Sequence, residues 1–266
     1  MILGAVAIGG GLSVGIGLRF VIRTFRQPPH VRENFRGHQV VATAGIVLAL
    51  PIFVGVAFVD GMTVPTTMAA VGVVMAVLGF VDDVRGDRRA GGFAGHVRAL
   101  LHGHVTTGLM KAVGGGVTGL AAGWVVGHHG PWILVAGAIV ALSANLTNLL
   151  DLRPGRALKV WFPCAVALLV AGIPEHGDRV LAALAGGAVV FVYGELRERI
   201  MLGDTGAGLL GAVIGVAATA TLGRSGLLVL LIVLVVATLT SEIVSFSRVI
   251  EAVPPLRWAD RLGRSG

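Results

Sequence analysis

Charged side chains are scarce in this chain, at 13% of 266 residues against about 25% in an ordinary soluble domain. That shortage excludes a water-soluble globule. There is one cysteine, Cys164, so no intramolecular disulfide can form. The period-2 alternation of outer-membrane strands is missing, which argues against a barrel. HExxH, CxxC, a Walker A loop and a nucleophile elbow are missing too, so the chemistries those motifs carry have nothing to rest on. The first 22 residues have no basic segment ahead of their apolar run and no clear small-x-small cleavage signal, and they read as a retained span.

What the chain does have is apolar length. Hydrophobic residues make up 55% of it and the mean hydropathy is +0.87. Since a spanning helix needs about 20 mainly apolar residues, this composition predicts an all-α integral membrane protein. Runs at 2–22, 40–59, 63–81, 107–127, 131–150, 160–173, 180–194, 206–222 and 226–245 predict a bundle of nine transmembrane helices. The 41 glycines read as close helix packing in lipid. With nine spans, nineteen of the basic residues fall on one side and only Arg179 and Arg224 on the other. The positive-inside rule then places the N-terminus outside and the basic face in the cytoplasm. The net charge of +7 is thereby a topology signal rather than a nucleic-acid footprint. Residues 1–246 read as the membrane domain and 247–266 as a basic cytoplasmic tail.

Carboxylates at the edge of an apolar run need a reason, because a charge costs about 2.5–3.5 kcal/mol at the centre of a membrane helix on insertion scales. Three such sites stand out. Gly79-Phe80-Val81-Asp82-Asp83 ends one run, Asn145-Leu146-Thr147-Asn148-Leu149-Leu150-Asp151 ends another, and Gly203-Asp204-Thr205-Gly206 opens a third. All three fall on the predicted cytoplasmic face. The spacing of three in Asn145, Asn148 and Asp151 puts two amides and a carboxylate near one side of a helix, suited either to reading a polar ligand or to bonding a neighbouring helix. Sparse aspartates suit Mg²⁺, which takes one or two protein carboxylates and completes its shell from phosphates and water. Lys111 and Arg98 are candidate cations for phosphate charge. Free N–H groups at the start of the helix after Gly203 could favour a phosphate beside the metal. His128-His129 reads as a solvated turn, and His96, His102 and His104 belong to no motif.

The ordered set Gly79-Phe80-Val81-Asp82-Asp83, Asn145-x-x-Asn148-x-x-Asp151 and Leu202-Gly203-Asp204-Thr205-Gly206 resembles the polyprenyl-phosphate N-acetylhexosamine-1-phosphate transferase superfamily over roughly residues 1–246. This group includes phospho-MurNAc-pentapeptide translocase and the GlcNAc-1-phosphate transferases. The resemblance implies transfer of a sugar 1-phosphate from a UDP-sugar to a polyprenyl phosphate such as undecaprenyl phosphate, with release of UMP. It implies Mg²⁺ as cofactor, with Mn²⁺ as a substitute, and a place in cell-envelope biosynthesis at the plasma membrane. By the same resemblance Asp82 contacts or deprotonates the lipid phosphate, Asp83 completes the acidic pair, Asp204 binds the metal, and Asn148 and Asp151 serve the nucleotide. Asn145 and Thr205 join the substrate contacts, and Arg98 or Lys111 is the family's basic residue. Members often form homodimers, and nothing in this sequence locates an interface.

Several departures from the family pattern bear on the donor. Leu152-Arg153-Pro154-Gly155 replaces a common Gly-x-Asp-Gly, Met201 stands where an aromatic is usual, and a histidine-rich loop and a tenth span are absent. These losses disfavour a pentapeptide-bearing donor. Two other readings stay open. Asp82-Asp83-x-x-x-Asp87 fits an integral membrane prenyltransferase, although no second close-spaced acidic motif accompanies it. The compact length also suits a non-catalytic homologue that binds a polyprenyl lipid or a partner enzyme.

Overall fold

A computed structural model describes residues 1–59, 63–86 and 92–264. The chain begins with α1 (Ile2–Thr24), followed by a short antiparallel hairpin of β1 (Val31–Glu33) and β2 (Gln39–Val41). After a 3₁₀ turn over Ala44–Leu48 come α2 (Ala49–Val56), α3 (Thr63–Arg85), α4 (Gly92–Leu101) and α5 (Thr107–Val125). Then follow α6 (Pro131–Leu150), α7 (Arg156–Ala171), α8 (Gly177–Leu196), α9 (Gly203–Thr221) and α10 (Arg224–Ile243). Two short helices, α11 (Phe246–Ala252) and α12 (Pro254–Arg261), close the chain.

Six helices among the described residues are long and apolar enough to cross a membrane: α1, α3, α6, α8 with the turn before it, α9 and α10. The expected count of nine is therefore not confirmed. The run at 40–59 is not one helix. Its first residues pair as β2, the next form the 3₁₀ turn, and Pro51, which has no N–H to give, sits in the first turn of the eight-residue α2. In α5, glycines and Lys111 dilute the apolar character, and α7 has only 16 residues. The turn at 60–62 lies outside the described residues.

The core is built around α9. Small residues along it let α3 and α6 approach closely, and it is buried nearly all round. Trp161 on α7 donates its indole N–H to the Leu210 carbonyl at 3.0 Å, fixing that neighbour as well. In contrast, α1 and α10 leave most of their surface outward, with Ile8, Leu12, Ile16, Ile232, Val236 and Leu239 all exposed. Such apolar faces suit lipid.

The segment read as a basic cytoplasmic tail is docked. Arg156, at the start of α7, grips Asp260 of α12 with two parallel bonds of 2.8 and 3.1 Å, and its remaining terminal nitrogen reaches the Ser247 hydroxyl at 2.9 Å. Lys159 donates to the Asp260 carbonyl at 2.6 Å, and Arg264 donates to the Asp260 carboxylate at 2.7 Å and to the Pro154 carbonyl at 3.1 Å. Burial works to raise the Asp260 pKa, but the Arg156 and Arg264 guanidiniums outweigh it and hold the carboxyl below the usual carboxylate range.

Candidate active site

The end of α3 explains the first acidic site residue by residue. Gly79 and Asp83 are one helical turn apart and share the face that meets α9. A Cβ at position 79 would collide with the backbone of Asp204 and Thr205, so only glycine lets the start of α9 come this close. Asp83 is 2% exposed, and its carboxylate accepts from the Asp204 N–H at 3.1 Å, the Thr205 N–H at 2.9 Å and the Thr205 hydroxyl at 2.6 Å. It is a cap supplied from another helix, satisfying donors that a helix start leaves orphaned. Gly203 makes the turn into α9 at φ +65°, where other residues are strained, and a Cβ there would strike the Ala42 carbonyl.

Asp82, one residue earlier, turns a different way. It accepts from the Thr107 hydroxyl and from the Lys111 ammonium at 3.0 Å, and the same ammonium donates to Asp204 at 2.7 Å. Asp82, Thr107, Lys111 and Asp204 line a cavity of about 490 Å³. Asn145 and Asn148 of α6 line it as well, as do Arg32 of β1 and Glu242 of α10. The ends of α3, α5, α6, α9 and α10 thus meet at one end of the bundle. Deeper in, the wall is apolar, with Met75, Ala112, Gly115, Leu142 and Leu149. One cavity therefore offers an ionic mouth and an apolar wall.

Asp151 follows α6 directly and faces a separate crevice of about 30 Å³, lined also by Phe35, Arg153, Glu195 and Met201. The Arg153 guanidinium lies 4.3 Å from the centre of the Phe35 ring, and both side chains line this crevice. Burial, reinforced by the charges of Glu195, Asp204 and Asp83, pushes the Asp151 carboxyl well above the usual carboxylate range. The Gly203 N–H works in the opposite direction.

Of the residues singled out in the sequence, the structure brings Asp82, Lys111, Asn145, Asn148 and Asp204 to the large cavity. Asp83 and Thr205 lie behind its wall; Thr205 is fully buried and both of its donors go to Asp83, which leaves them no reach to a ligand. Asp151 lies on the crevice next door. Arg98 is exposed on α4 and is not among the residues lining either space. Asp87 lies outside the described residues. Sequence reasoning missed Thr107, Arg32 and Glu242. Thr107 carried a signal, since Thr106 caps the start of α5 by accepting from the Leu109 N–H at 3.2 Å, and that places Thr107 and Lys111 one turn apart on one face.

Among the described residues no group of three or more His, Cys, Asp or Glu side chains is arranged to hold a metal ion. Asp82 and Asp204 nevertheless face the same cavity and are bridged by one ammonium. Two such carboxylates fit a Mg²⁺ that draws the rest of its shell from substrate phosphates and water.

Residues 65–222 match the sequence profile of glycosyl transferase family 4. That stretch holds all three acidic sites, Lys111 and the whole of α9. No curated protein matches the chain.

Proposed function

The chain belongs to glycosyl transferase family 4, the polyprenyl-phosphate hexosamine-1-phosphate transferases, and from that membership we propose that it moves a sugar 1-phosphate from a UDP-sugar to undecaprenyl phosphate in a Mg²⁺-dependent reaction. A phosphate oxygen of the lipid attacks the sugar-bearing phosphorus, the bond to the departing nucleotide breaks, and UMP leaves. The observation that carries this reading is the cavity in which Asp82, Lys111 and Asp204 stand above an apolar wall. A lipid phosphate needs both: ionic groups for its head and apolar surface for its chain.

Each residue has a part. Asp82, held by Thr107 and Lys111, orients the lipid phosphate. Lys111 keeps the two aspartates together and offsets part of their own charge. Asp204 and Asp82 would hold Mg²⁺, which when bound polarises the donor's phosphate oxygens. Asn145 and Asn148 present amides to the polar part of the donor. The protein is membrane-embedded; we place it in the plasma membrane with this end of the bundle in the cytoplasm, where soluble UDP-sugars are available. Family membership weighs against prenyl transfer.

The test is UMP release by purified protein given undecaprenyl phosphate, Mg²⁺ and a panel of UDP-sugars. Simple UDP-N-acetylhexosamines are expected to turn over and UDP-MurNAc-pentapeptide to be a poor donor. No release with any sugar would leave a non-catalytic, lipid-binding role.

A further inference from the structure

Arg32 precedes Asp83 by 51 residues in sequence, yet it reaches the large cavity and stands there with Asp82, Lys111 and Asp204. The hairpin carries it in. The strand opposite β1 is tied to the segment before α9, where the Met201 N–H donates to the Val41 carbonyl at 3.0 Å. One terminal nitrogen of Arg32 donates to the Asp83 carbonyl, near the end of α3. A guanidinium has five N–H donors, and among the described residues that is the one hydrogen bond the Arg32 side chain makes. No carboxylate pairs with it there. The other cavity cation, Lys111, is spent on two aspartates, and Arg36, Arg156 and Arg264 each have a carboxylate partner.

A phosphate entering beside Asp82, Asp204 and Glu242 meets negative charge, and one ammonium shared by two carboxylates does not offset it. A guanidinium with open donors, already fixed at one corner, matches a phosphate's oxygens with a flat fork. We propose that Arg32 is a phosphate-binding residue of this site, its free N–H groups taking oxygens of a phosphate or diphosphate group. The proposal rests on the transferase reading above. The competing role is purely structural, with Arg32 capping a carbonyl that the end of α3 leaves without a partner.

Binding measured on the full chain in detergent separates the two, using UDP and farnesyl phosphate as probes and melting temperature as the control. Arg32→Gln is expected to weaken at least one probe by about tenfold or more, the scale of a lost charge-assisted contact. Loss for UDP alone assigns Arg32 to the nucleotide's diphosphate, and loss for farnesyl phosphate alone to the lipid's phosphate. Arg32→Lys keeps a donor for the Asp83 carbonyl but not the fork. It is expected to lose part of the affinity with little change in melting temperature, and it serves alone should Arg32→Gln be too unstable to assay. Unchanged affinity for both probes in the variants, with the wild type binding normally, would make Arg32 a cap and overturn the proposal. If the wild type binds neither probe, the transferase reading falls and this proposal goes with it.

Discussion

Two of the clusters of ionised side chains in this molecule, the C-terminal clamp and the cavity, differ in what they leave over. At the C-terminal clamp, Asp260 is 9% exposed and enclosed by Arg156, Arg264 and Lys159. At the cavity, Asp82 and Asp204 share one lysine and face about 490 Å³ of space. Both clusters are built from aspartates and basic side chains. Saturated pairing marks a structural use, and a charge with room in front of it marks a use for a ligand. The contrast repeats at the smallest scale in two successive residues: Asp83 spends its carboxylate on the start of α9, while Asp82 turns into the cavity.

That contrast can be broken at either end. The largest effect is expected at the clamp. Arg156→Leu leaves Asp260 buried without its bidentate partner and should cost about 3–5 kcal/mol of stability, read as a fall in melting temperature. Little change there would mean the tail contributes nothing to the fold. Next comes Lys111→Met, which leaves two carboxylates facing each other and no ammonium between them. Turnover should drop about a hundred- to a thousandfold while the protein stays folded.

Asp83→Asn sharpens the comparison within one motif. An amide puts donors where Asp83 now only accepts, so stability should fall by about 1–3 kcal/mol. Activity should fall with it only as far as Asp204 is displaced. Full stability with abolished turnover would show that Asp83 acts on substrate after all. The smallest effect concerns acid. Because Asp260 has a native pKa below its unfolded value of about 3.9, its contribution is present above that value and is lost as the pH falls through the native pKa. Melting temperature should therefore drop between pH 5 and pH 3 more steeply in the wild type than in Asp260→Asn, and equal slopes would contradict this.

Much of this arrangement was legible in the sequence. Long apolar runs gave the helices, and carboxylates at their ends pointed to one end of the bundle, because a charge has so few acceptable positions in such a chain. Partners were not legible. Periodicity tells which residues share a helix face, not what the face meets, so Asp83 and Thr205 read as site residues although they bond each other. The face shared by Gly79 and Asp83 held a clue, since a glycine needed for close approach one turn away places Asp83 against the neighbouring helix. Arg32 was hidden among five arginines flanking the hairpin region, where only tertiary folding picks one out. The stretch 40–59 misled because composition registers apolar length but not strand pairing. The docking of the tail was missed because Arg156 and Lys159, which tie Asp260 to α7, lie about a hundred residues away.

The measurement that tests the central claim most directly sets Asp204→Asn beside Asp260→Asn, with Mg²⁺-dependent UMP release and melting temperature recorded for both. Asp204→Asn keeps the shape but loses the charge that a divalent ion and Lys111 need. It should lose about a thousandfold in turnover at nearly unchanged melting temperature. Asp260→Asn should melt several degrees lower yet keep turnover per folded molecule within about twofold. Near-normal turnover in a folded Asp204→Asn protein would contradict the assignment of the cavity as the place where phosphoryl transfer occurs.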